Sequence, residues 1–118
     1  MRQLTDTHAH TVASTHAFST VDEYFREAAE KGLQLFSITD HGPDMPDAPH
    51  PWHFGNMRVL PRIKYGVAML RGIEANILPG SRVLDVNATL MSYMDFGIAS
   101  FHEPVYPPVD RATHTASM

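Results

Sequence analysis

The chain has 118 residues, 43% hydrophobic and 19% charged, a balance that supports one packed domain and excludes wholesale disorder. Nine Lys plus Arg against thirteen Asp plus Glu give a net charge of −4, which disfavours tight binding to a nucleic-acid backbone. No cysteine is present, so disulfides, thiolate ligands and a cysteine nucleophile are excluded together, and any metal must be held by nitrogen and oxygen.

Residues 3–8 read as a first strand running into a polar loop. "STVDEYFREAAEKG" then reads as a helix marked at both ends, with Thr20 and Glu23 as a capping box and Gly32 as the stop. Val21, Tyr24, Phe25 and Ala28 fall on one face of it. "LQLFSIT", 33–39, follows as a second strand, and the strand, helix, strand order implies a parallel pair with a right-handed crossover. Pro43, Pro46, Pro49 and Pro51 make residues 40–53 a loop. A short helix broken near Pro61 is expected within 54–64, a strand over 67–77, and a weaker strand over 82–86 in a hairpin edge. A short helix around 88–94, a buried strand over 96–102 and the start of a helix at Asp110 complete the reading. Met45, Met57, Met69, Met91 and Met94 are expected to fill the core. No signal-peptide core opens the chain and no apolar run approaches the roughly 18 residues of a membrane span, so a cytoplasmic protein with no membrane partner is expected.

The histidines carry the chemistry. "THAHTVASTH" places His8, His10 and His16 within ten positions. Residues two apart in a strand face the same way with Cα atoms roughly 6.6 Å apart, so His8 and His10 can converge on one ion, although two surface histidines would read alike. Asp6, expected on the same face one step earlier, is a candidate acceptor for an imidazole N–H. Asp40 and His41 follow the second strand, where parallel α/β folds gather functional groups, or else they form a polar turn. Glu74 stands late in an apolar strand, where an unpaired carboxylate is costly; a cation or a salt bridge to Arg71 would resolve the cost. "ASFHEP" ends the next strand in His102 and Glu103. Four strand ends thus finish in His, Glu or Asp, and their convergence weighs more than any single motif.

"DTHAHTVASTHAFST", "SITDHGPDMPDAPHPWHF", "LRGIEANI" and "ASFHEPVYPP" together resemble the N-terminal half of the PHP (polymerase and histidinol phosphatase) superfamily, in its YcdX-like bacterial phosphatase subgroup. The resemblance is collinear from residue 4 onward. It implies an α/β fold that is the N-terminal portion of an irregular (β/α)7 TIM-like barrel, with residues 1–118 as part of a single PHP domain. It further implies up to three divalent ions, zinc or else manganese or iron, at the strand C-termini. By the same resemblance His8, His10 and Glu74 bind the first ion, Glu74 bridges to a second held by His102, and His16 with His41 holds the third. Many members carry an aspartate-containing "SDG" where this chain has "STHA". Members also continue with an H-P motif and a late Asp-x-His that lie beyond this chain.

The function so implied is hydrolysis of small phosphate monoesters by metal-activated water, since divalent ions lower the pKa of bound water toward roughly 7 and no protein nucleophile is then required. An exonuclease acting on nucleic-acid ends and a non-catalytic metal-binding module are the rivals. "PHPWHF" offers His50, Trp52 and His53 as a lid over the substrate, or as a loop anchored by Trp52. Arg58, with Arg62 four residues on, is a candidate for neutralising charge on the transferred phosphate, and a solvated helix face is the alternative. His114 lies in a polar tail and is expected to ligate nothing. An open barrel edge is expected to make the chain self-associate.

Overall fold

The computed structural model describes residues 4–80 and 83–105. The first strand, β1, is Thr5–Ala9, and helix α1 is Val21–Lys31. Both halves of the capping box form: Thr20 Oγ1 accepts the Glu23 N–H at 3.2 Å, and Glu23 Oε1 accepts the Thr20 N–H at 2.9 Å. At the far end Gly32 turns left-handed at φ 74°, a conformation cheap only without a Cβ. The face expected to be apolar is the one that packs, with Phe25 and Ala28 buried and Val21 and Tyr24 partly so. Phe25 meets Phe36 edge-on at 4.9 Å between ring centroids, and Tyr24 stacks on the same ring at 5.9 Å. Burying side chains of this size stabilises by roughly 1.5–3 kcal/mol each.

Strand β2, Leu35–His41, lies parallel to β1 on one side and to β4, Val67–Asn76, on the other. Asp40 and His41 belong to the strand rather than to a turn after it. The far edge of β4 is shared: its first two residues pair antiparallel with β3, Ile63–Lys64, and Gly72–Asn76 pair parallel with β5, Phe96–Ser100. The parallel strands β1, β2, β4 and β5 form the curled sheet of an incomplete TIM-like barrel, and their carboxyl ends lie along one rim. This arrangement matches the α/β barrel portion expected from the sequence. Lateral neighbours in a parallel sheet share a face, so Phe36, beside Met69, belongs to the helix-packed side, while His41, beside Glu74, belongs to the other.

Three departures have local causes. Helix α2 starts at Pro51 and runs to Asn56, followed by a 3-10 turn at Met57–Val59, because proline at the first helical position loses no hydrogen bond. The stretch after Pro61 forms β3 instead of helix, closed by a two-residue turn in which Tyr65 and Gly66 take φ of 53° and 75°. The strand expected over 82–86 is only an isolated bridge from Ile77 to Leu84. Helix α3 is short, Ala88–Met91, capped by the Asn87 side chain. Met57 and Met69 are buried in the core and Met91 and Met94 pack against it, whereas Met45 is half-buried in the proline loop and stands outside it. The expected helix at Asp110, and His114, lie outside the described residues. No helix among the described residues is long and apolar enough to cross a membrane.

Candidate metal centre

The register of β1 slips between Asp6 and Ala9: Asp6 stands beside Phe36 and Ala9 beside Ile38, so Thr7 and His8 together face the single residue Ser37. Such a bulge inverts the alternation of the strand. Asp6 is therefore on the helix-packed side with Phe36, while the bulge turns His8 to the other side, where His10 also lies. Asp6 does not reach an imidazole, as its place one step earlier had suggested. Its Oδ1 accepts the backbone N–H of His8 at 3.2 Å and so braces the bulge.

Four imidazoles surround Glu74. Its Oε2 lies 3.0 Å from His10 Nε2, 3.3 Å from His8 Nε2 and 3.5 Å from His41 Nε2, while Oε1 lies 3.3 Å from His102 Nε2. Donor atoms sharing one tetrahedral ion at 2.0–2.1 Å sit roughly 3.3 Å apart, close to the distance from each ring to Glu74. Arg71, the alternative partner for Glu74, instead donates to the Arg58 carbonyl at 3.2 Å. Burial opposes ionisation of Glu74, but hydrogen bonds from Ser100 and His8 and the nearby His102 outweigh it and hold the carboxyl below its usual range. Burial and the adjacent His41 hold His10 below the ordinary imidazole value, which favours the neutral ring that ligates metals.

A second carboxylate joins the cluster that the sequence did not single out. Asp47, in the proline loop, takes His41 Nδ1 at 2.7 Å on Oδ1 and His16 Nδ1 on Oδ2. Three groups of side chains thereby bring donors close enough to hold an ion: His8, His10 and Glu74; His41, Glu74 and His102; and His16, His41 and Asp47. All six residues expected as ligands fall within them.

The donor set fits cations. A carboxylate only accepts, so His41 donates from Nδ1 to Asp47, and its Nε2 faces a second acceptor, Glu74 Oε2, across a gap that needs a proton or a metal ion. Only a positive charge between the two reconciles them. Protonating every ring would set like charges beside one another, since the His10–His41, His16–His41 and His41–His102 centroids lie 4.5, 4.8 and 5.0 Å apart. Divalent ions held between the donors meet the same demand, with the carboxylates of Glu74 and Asp47 offsetting their charge.

Asp40 holds the scaffold. It is fully buried, and its Oδ1 accepts from the Thr11 N–H at 2.7 Å and the Ser14 hydroxyl at 2.8 Å. Its Oδ2 accepts from the Thr11 hydroxyl at 2.8 Å and pairs with His53 Nε2 at 2.9 Å. These bonds pin the loop between His10 and His16, and Ser14 Oγ in turn accepts the His41 N–H at 3.0 Å. Burial would raise the Asp40 pKa, but His53, Thr11 and Ser14 together hold it below the usual value. Asp40 thus braces the backbone between His10 and His16, and its ring contact is with His53.

The remaining candidates are placed elsewhere. His50 caps α2, its Nδ1 accepting the Trp52 N–H at 3.1 Å. Trp52 is 76% exposed, so it does not anchor the loop against the barrel. Arg58 donates to the Gly55 carbonyl at 2.9 Å and lies 4.5 Å above the Tyr93 ring, with no described contact to the cluster. Arg62 spends its fork on Asp95, at 2.8 and 3.0 Å.

A family profile described as the PHP domain matches residues 6–113. The chain belongs to the PHP domain family. This PHP domain is 58% identical over its full length to a probable phosphatase of Shewanella sediminis, covering 48% of that protein. Over 96% of the chain it is also 58% identical to probable phosphatases of Edwardsiella ictaluri and Pectobacterium carotovorum, covering 46% of each. It therefore spans about half the length of the curated relatives it matches.

Proposed function

We propose that this PHP domain is the metal-holding part of a phosphatase that hydrolyses small phosphate monoesters. The observation that carries the reading is the ring of four imidazoles around Glu74 in a chain without cysteine. The names of its relatives point the same way.

His8, His10, Glu74, His41, His102, His16 and Asp47 would hold divalent ions, with zinc best suited to the imidazole-rich set and manganese or iron as alternatives. Bound there, such ions would polarise phosphoryl oxygens and make water nucleophilic near neutral pH. The chain's own residues supply imidazole nitrogens, ionised carboxylates and a braced loop, which keep the donors in place before substrate arrives. With Arg58 and Arg62 engaged elsewhere, the substrate's charge is met chiefly at the cluster.

The test is hydrolysis of p-nitrophenyl phosphate against a labelled oligonucleotide, with and without added Zn²⁺ or Mn²⁺, in parallel with elemental analysis. Chelator-sensitive release of nitrophenol supports the reading. Preference for the oligonucleotide would favour the nuclease alternative, metal binding without turnover would favour a binding module, and a trapped covalent phosphoenzyme would overturn hydrolysis by activated water.

A further inference from the structure

Asn76 closes β4 beside the cluster and has no exposed surface. Its backbone N–H donates to Asp85 Oδ1 at 2.7 Å, and its side-chain Nδ2 donates to Asp85 Oδ2 at 2.5 Å. The same nitrogen lies 3.4 Å from the Gly42 carbonyl, a second acceptor. With two acceptors on one side, the amide nitrogen must face Asp85 and the amide oxygen must face away. That oxygen lies 2.7 Å from His102 Nδ1. An amide oxygen only accepts, so Nδ1 carries a hydrogen, which leaves Nε2, 3.3 Å from Glu74 Oε1, as the ring atom that can ligate.

We propose that Asn76, clamped by Asp85, is a positioning residue that sets His102 in the Nδ1–H tautomer and so makes Nε2 its ligating atom. The consequence for metal affinity rests on the phosphatase-type metal centre proposed above; the tautomer itself does not. Asp85 is built in for this task. It also accepts the Asp44 N–H at 2.9 Å and donates its own N–H to the Asn76 carbonyl at 3.1 Å. A Cβ at Gly42 would stand 2.7 Å from both Asp85 carboxylate oxygens, so the carboxylate reaches Asn76 only past bare backbone. Removing the Asp85 side chain leaves only the more distant Gly42 carbonyl, at 3.4 Å, to hold the amide nitrogen, so Asn76 can turn its NH₂ toward His102, which inverts the tautomer and points an N–H at Glu74.

The test reads imidazole ¹⁵N shifts of the chain after chelation, at a pH where the rings are neutral, and then titrates in Zn²⁺. The parent is expected to show His102 as Nδ1–H. Asp85→Ala and Asn76→Leu are expected to lose that signature and to weaken one ion by about 10–100-fold, while ions held without His102 bind as before. A parent whose His102 is Nε2–H overturns the proposal without any variant. So does a folded Asn76→Leu chain that keeps both the Nδ1–H signature and the affinity. A chain that shows the tautomer change in both variants yet binds no ion upholds the positioning role and defeats the metal centre instead.

Discussion

His41 and Glu74 stand side by side in register on β2 and β4, and their side chains meet with Nε2 3.5 Å from Oε2. Each belongs to two of the three ligand groups, so they are the joints of the cluster. Glu74→Ala is expected to cost two ions, whereas His16→Ala costs one. Elemental analysis of the purified variants checks this, and equal losses would show that Glu74 does not bridge.

Asp40 is a buried carboxylate with a depressed pKa. A group of this kind stabilises the fold above its unfolded value of about 3.9, and the contribution is lost as pH falls through the lower folded value. Denaturant unfolding of the parent should weaken more steeply below about pH 4 than that of Asp40→Asn. At neutral pH the variant should be less stable by about 3 kcal/mol, because donors that faced a carboxylate then face an amide. Identical pH slopes would show that Asp40 is not responsible.

His50 and His53 differ in what they hold. His50→Ala removes an N-cap acceptor and should cost up to about 1 kcal/mol in the urea midpoint, with metal content unchanged. His53→Ala takes a partner from fully buried Asp40 and should cost more, about 2 kcal/mol. A larger loss in the His50 variant would contradict the roles given to the two rings.

Gly66 has φ of 75° with nothing within 4 Å of a would-be Cβ. Gly66→Ala should therefore destabilise by about 1–2 kcal/mol through backbone strain alone. Calorimetry decides, and an unchanged midpoint would mean that the turn relaxes.

β1 and β5 stand at the ends of the described parallel sheet, each paired along one side. Open strand edges recruit further strands. Concentration-dependent self-association by light scattering is expected, and a monodisperse monomer at every concentration would contradict it.

Where local rules act alone, the sequence could be read closely. Thr20, Glu23 and Gly32 bound α1 as expected because caps are made by residues near in sequence. That His8, His10, His41, Glu74 and His102 would gather at one rim was legible because they stand at the ends of parallel strands, whereas His16 lies in the loop after β1 and was placed by the resemblance alone. Asp6 was misplaced because a bulge leaves no compositional mark and one extra residue reverses every side chain beyond it. Asp47 was overlooked among the turn residues of "PDMPDAP", where its pairing with His16 and His41 depends on how the loop folds back. The place of Arg58 over the Tyr93 ring was not legible, because the two residues are distant in the chain. β3 was missed because "YG" is an uncommon way to write a two-residue turn that usually carries Asn-Gly.

That small hairpin bears on the order in which the molecule assembles. Every other pairing of β4 joins residues far apart in the chain, such as Leu35 with Ala68 and Gly72 with Phe96, and must wait for a long loop to close. The Lys64–Val67 closure needs no such search and can form in about 1–10 μs. β4 thus gains an early, local hold at its first residues, from which it can template β2 on one side and β5 on the other. The strand that carries Glu74 is then among the first to be set in place, and slower collapse would bring the histidines to a carboxylate already waiting for them.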